Sequence, residues 1–183
     1  MLRGYRLTAT PLRQYKIGLI GLYMPSFDIT SEPSKIELGN SVDLANKEIK
    51  NRFDFKGSVS KLEKTEDSII IYAEDEFKRR QVFDILINKL TKRSVDLRFL
   101  DRGNPEKIGG DKIKEEMKIK NGIDKELAKK IIKLLKEKKI KVKTSIQGET
   151  VRVSASKKDL LQEAITTAKS IKDQPLQFGN FRD

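Results

Sequence analysis

The 183-residue chain carries 39 Lys+Arg against 27 Asp+Glu, a formal charge of +12, and it has no His, Cys or Trp. Without imidazole or thiol there is no Ser-His-Asp triad, no thiolate nucleophile, no Cys/His zinc site and no disulfide, so any chemistry falls to carboxylates, Lys, Tyr or a bound hard cation. The most apolar run, Ile17 to Tyr23, is far short of the roughly 20 residues that span a bilayer, and a cysteine-free chain fits a reducing, cytoplasmic setting.

The charge is divided unevenly. Residues 1–23 hold four basic side chains (Arg3, Arg6, Arg13, Lys16) and no acid. Residues 24–103 hold 15 of each sign, and residues 104–183 hold 20 basic against 12 acidic, leaving +8 there. The first segment has the Arg-rich, acid-poor character of a transit peptide but lacks the Ser enrichment. Met24-Pro25-Ser26 reads as the start of the folded protein, so residues 1–23 are expected to lie outside the fold.

In chain order, residues 26–30 read as a strand. Residues 40–53 read as a helix capped by Asn40 or Ser41, with Val42, Ala45, Ile49 and Phe53 at helical spacing, and Asp54-Phe55-Lys56-Gly57 as the turn that ends it, Phe53 and Phe55 packing beneath. Strands follow at 58–65 and 68–74, joined at Glu66-Asp67. Asp75 caps a helix over 76–92, and residues 97–100 form a fourth strand. The polar loop 101–111 is the best boundary between two units, 24–103 and 104–183. The series then recurs: a strand at 113–120, a helix at 124–139, a hairpin of 140–147 and 150–154 around Gly148-Glu149, a helix at 157–172 with a capping-box pattern at Ser156 and Asp159, and a closing strand at 175–181.

The corresponding hairpins and second helices are offset by about 81 residues, so the pattern βαββαβ occurs twice. This predicts an α+β protein of two ferredoxin-like, RNA-recognition-like plaits, in which four antiparallel strands bury one face under two helices and leave the other open.

Strand alternation assigns the faces. Ile113, Met117 and Ile119 point inward, which puts Lys114, Glu116, Lys118 and Lys120 outside. Lys141 and Lys143 likewise face out beside Arg152, so the second sheet is expected to expose a mostly cationic surface suited to RNA or another nucleic acid. Aromatic platforms for base stacking are few: Tyr72 on the first hairpin, and Phe178 or Phe181 on the last strand. Glu115 and Glu116 face opposite sides of one strand and cannot act as a catalytic pair. Gly109-Gly110-Asp111-Lys112 is too short a match for a phosphate loop. No catalytic constellation, metal site or cofactor requirement emerges.

Four motifs in order, Met24-Pro25-Ser26-Phe27-Asp28-Ile29, Arg52-Phe53-Asp54-Phe55-Lys56-Gly57, Ile146-Gln147-Gly148-Glu149 and Gln177-Phe178-Gly179-Asn180-Phe181-Arg182-Asp183, resemble the bacterial YajQ family over residues 24–183. The resemblance implies a tandem of plaits with exchanged first strands, pairing 26–30 with the second unit and 112–120 with the first. It also implies a non-catalytic nucleotide-binding protein, an effector for cyclic di-GMP or GTP, with tRNA or other RNA as an alternative ligand. A module for an acidic protein partner is the alternative from a different class. Arg52, Lys56, Arg152 and Arg182 are the expected contacts to phosphate or guanine, with Tyr72 and Phe181 as stacking rings, because Arg both pairs bidentately with phosphate and stacks on bases. Lys114, Lys118, Lys120, Lys141 and Lys143 are the expected nucleic-acid contacts.

Overall fold

The computed structural model describes residues 24–182, so the expectation for residues 1–23 lies outside the described residues. The strands are β1 (Ser26–Thr30), β2 (Lys61–Lys64), β3 (Ser68–Ala73), β4 (Leu100–Arg102), β5 (Glu106–Lys107), β6 (Ile113–Ile119), β7 (Lys143–Gln147), β8 (Thr150–Ser154) and β9 (Gln177–Arg182). The helices are α1 (Lys35–Asn51), α2 (Glu76–Lys92), α3 (Lys125–Glu137) and α4 (Lys158–Ala168). Together they form an α+β protein of two antiparallel sheets and four helices. No helix among the described residues is long and apolar enough to cross a membrane.

Helix starts follow side-chain capping closely. Asp75 accepts a hydrogen bond from Lys78 N–H at 2.7 Å, and Asp124 does the same for Leu127 N–H at 2.7 Å, as the first turn of a helix requires. Helix α1, however, begins at Lys35 rather than residue 40. Ser34 is its cap, and the buried stripe Leu38, Val42, Ala45 and Ile49 starts a turn earlier than the expected cap at Asn40 or Ser41, so packing carries the helix through Gly39 despite its weak propensity. The chain turns extended at Arg52. Phe55 is then buried, while Phe53 is 87% exposed, which corrects the expectation that both pack beneath the helix. The capping box at Ser156 does not form. Lys157 is the N-cap of α4 and makes no side-chain cap, because Ser156 stands one residue too early for its hydroxyl to reach the first turn.

Strand order in the first sheet is β2-β3-β6-β4, with β5 also pairing β6, and in the second it is β7-β8-β1-β9. Strand β1 therefore lies between β8 and β9, and β6 lies between β3 and β4. Each sheet has its own core under two helices. In the first, Leu62, Ile69, Ile71 and Met117 meet Val42, Ile49, Val82 and Leu86 of α1 and α2. In the second, Phe27, Ile29, Val151 and Val153 meet Ile131, Leu135, Leu161 and Ile165 of α3 and α4.

The two connecting segments that carry β1 and β6 across run side by side. Gly122 N–H donates to Ser31 C=O at 2.7 Å, and the buried Gln174 amide donates to Ser31 Oγ at 2.8 Å and to Gly122 C=O at 2.9 Å. Gly122 has φ of +77°, and a Cβ there would come within 2.6 Å of the Glu149 side chain. Only glycine meets both conditions without strain.

Candidate functional site

The open face of the first sheet is organised in cross-strand rows. Ile69, Ile71 and Ala73 of β3 point to the helices, so Ile70 and Tyr72 point away. In register, Tyr72 stands opposite Lys61 of β2 on one side and Lys114 of β6 on the other, and Lys114 stands opposite Glu106 of β5. The row thus reads Lys61-Tyr72-Lys114-Glu106. The Lys61 ammonium lies 5.3 Å from the centroid of the Tyr72 ring and bonds Glu63 at 2.5 Å. The next row on this face is Glu63-Ile70-Glu116, and the row beyond it places Lys118 opposite Asp101.

Two hollows open on this face. One of about 340 Å³ is lined by Val59, Lys61, Tyr72, Ile108 and Lys112, and one of about 260 Å³ by Asp101, Glu106, Lys114, Glu116 and Lys118. The first hollow sets the Tyr72 ring and apolar walls beside the Lys61 and Lys112 ammonium groups and one carboxylate, Glu63, the composition that nucleobase stacking requires, and the second balances Arg102, Lys114 and Lys118 against Asp101, Glu106 and Glu116. Gly103 gives the second hollow its shape. Its N–H donates to Glu116 C=O at 2.8 Å, and a Cβ would sit 2.6 Å from that oxygen.

The expected opposition of Glu115 and Glu116 holds. Glu116 faces the open hollow, whereas Glu115 is fully buried on the helix side, bonded by Arg79 of α2 and Arg102 of β4. Arg79 also bonds Glu76, which with Arg80 holds the Glu76 carboxyl down at about 2. This cluster fixes β6 against α2, and its charges are spent on one another.

The other expected site residues are scattered. Because β6 belongs to the first sheet, Lys114 and Lys118 share a face with Tyr72 and not with Lys143, so one cationic surface on the second sheet is not what forms. Lys120 lies beyond the strand in a separate hollow of about 530 Å³ between the sheets, where Asp101, Asp124, Glu126 and Asp173 outnumber Lys120 and Lys130. That junction is acidic and suits an anion poorly. Lys141 is exposed just before β7, and Lys143 stands opposite Ser154 at the outer edge of the second sheet.

Arg152 is committed to Asp28, with Nε to Oδ1 at 2.7 Å and Nη2 to Oδ2 at 3.0 Å. Arg182 stands opposite Ser26 on the same face. Between them a bulge at Gly179-Asn180, with Asn180 at φ of +53°, turns Phe181 to the helix side. There its ring lies 5.8 Å from that of the buried Phe27, so Phe181 offers no platform on the open face. Arg52 is held by Asp54 at 2.8 Å and by Glu48 at 3.6 Å, and Lys56 projects freely from the following turn.

Residues 25–182 match the family described as nucleotide-binding protein YajQ-like. The chain belongs to that family. Membership makes this chain one of a nucleotide-binding family, and Tyr72 with Lys114 and Lys118 are the expected residues that the fold brings together on one face. Lys61, Lys112 and Glu106 were not singled out from sequence. For Lys61 the signal was present, since a hairpin turning at Glu66-Asp67 sets Lys61 opposite Tyr72. For Glu106 there was none, because its two-residue strand exists only through pairing with β6.

Proposed function

We propose that the protein binds a nucleotide, without catalysis, on the open face of the first sheet. The observation that carries this is the position of Tyr72 between Lys61 and Lys114 in one cross-strand row. The base stacks on Tyr72, Lys114 and Lys118 neutralise phosphate, and the Glu106 carboxylate accepts hydrogen bonds from ring or amino N–H groups of the base. A carboxylate acceptor fits guanine, which carries both groups on one edge, and so fits GTP or cyclic di-GMP. The strand pairing supports two ferredoxin-like plaits over 24–103 and 104–183 with first strands exchanged, and the exchange is what brings Lys114 beside Tyr72.

Titration calorimetry at low salt with a panel of mono-, di- and cyclic nucleotides tests the reading. Saturable binding with one preferred base is the expected result. Tyr72→Ala should weaken it by about 5- to 100-fold, the worth of one base stack, while charge reversal at Lys141 and Lys143 should leave it unchanged. Absence of saturable binding across the panel, or binding indifferent to Tyr72, overturns it.

A further inference from the structure

A further hollow lies around the outer edge of the first sheet, where β2 has no neighbour on its far side. It measures about 420 Å³ and its rim includes Lys50, Lys56, Gly57, Ser58, Ser60 and Lys61, with no carboxylate in the lining. Lys50, at the end of α1, and Lys56 have exposed side chains with no ion-pair partner among the described residues. Ser58 Oγ donates to Ser60 Oγ at 2.8 Å and accepts from Ser60 N–H at 3.1 Å. The largely buried Ser60 hydroxyl therefore still has its own proton to give. Two free ammonium groups, a spare hydroxyl donor and an acid-free wall make a receptor for a doubly or singly charged oxyanion.

This hollow adjoins the Tyr72 hollow, since Lys61 lines both. Ser58 is three residues from Lys61, at most roughly 10 Å along an extended chain. We infer that it is a second phosphate subsite, and that the ligand is a phosphodiester-linked one whose base rests on Tyr72 and whose next phosphate passes over the β2 edge to Lys50 and Lys56. The inference rests on the Tyr72 reading and adds that a mononucleotide fills only part of the surface. The shared chemistry, a second phosphate one nucleotide away, is found in a linear dinucleotide, a cyclic dinucleotide and a single strand.

The test uses the full chain and the doubly substituted Lys50→Gln, Lys56→Gln form, both changes being on exposed side chains that leave the core intact. The probes are GMP, linear pGpG, cyclic di-GMP and a single-stranded G-containing RNA octamer. The double variant should lose about tenfold or more in affinity for a phosphodiester probe, the worth of one charge-assisted contact, while GMP stays within about twofold. The log-log salt slope for the octamer should fall by about 0.7 for each phosphate contact removed. A dinucleotide that binds as tightly as the octamer identifies the small ligand as the source, and a tighter octamer identifies the strand. Equal losses for GMP and the longer probes, or no loss for any of them, overturns the subsite. GMP binding that ignores Tyr72→Ala defeats the underlying reading instead, so the two failures are distinguishable.

Discussion

The carboxylate of Asp28 on β1 grips the guanidinium of Arg152 on β8 through two hydrogen bonds of 2.7 and 3.0 Å, although the two residues are 124 positions apart in the chain. Arg152, helped by Asn180, holds the Asp28 carboxyl below its ordinary value against the opposing effect of burial. A carboxylate with a folded-state pKa below its unfolded one contributes stability that is complete above about pH 4 and disappears as pH falls through the lower, folded value. Urea denaturation between pH 2 and 7 should therefore show the second core weakening below about pH 4, with a shallower acid limb in Asp28→Asn. Parallel acid limbs in the two proteins would show that Asp28 carries none of the effect.

Strand β6 has a matching key on the first sheet. Glu115 is fully buried between Arg79 and Arg102. Removing one member of a buried ion cluster strands the remaining charge, so Glu115→Ala should cost about 3–5 kcal/mol. The double change Glu115→Leu, Arg79→Leu should recover much of that loss, because apolar replacements remove the desolvation penalty on both sides. Chemical denaturation of the unsubstituted protein and the two variants measures this, and a double variant less stable than the single one would contradict it.

The place of β1 between β8 and β9 makes a further expectation specific. Phe27 sits near the start of the described chain but is completely buried in the core formed by α3 and α4. Phe27→Ala should cost about 3–5 kcal/mol, and hydrogen exchange should rise first in residues 125–168. Early loss of protection in residues 35–92 would mean that β1 supports the other core.

Much of this arrangement was legible in the sequence. The hairpin at Glu66-Asp67, the cap at Asp75, and the inward set Ile113, Met117 and Ile119 all follow from local chemistry, which tertiary packing did not override. The failures share a cause. The helix start was set at Asn40 or Ser41 because the burial of Leu38 in the first core could not be seen, and Phe53 looked buried because spacing does not reveal that the helix stops at Asn51. Alternation put Lys114 on an open face correctly. Which sheet that face belonged to depends on pairing across long stretches of chain, which alternation does not encode, and the motif resemblance alone pointed to exchange. Arg152 likewise read as a free cation because its partner, Asp28, is remote in sequence.

The site makes one more demand on the backbone. Gly103 follows β4 and passes so close to β6 that a Cβ would stand 2.6 Å from the carbonyl oxygen of Glu116, an atom fixed in the sheet. Gly103→Ala must push the β4–β5 connection away from β6, and Glu106 moves with it because β5 meets β6 only at Glu106 and Lys107. The first core lies on the other side of the sheet, so the global unfolding free energy should fall little, by about 1–2 kcal/mol at most for a local backbone shift. Affinity for GMP should fall severalfold and affinity for AMP much less, so the preference for guanine shrinks by most of the GMP loss, since stacking on Tyr72 and charge at Lys114 remain while the Glu106 acceptor is displaced. Calorimetry with GMP and AMP on the variant decides this: an unchanged base preference would remove Glu106 from the site, whatever happened to the affinity.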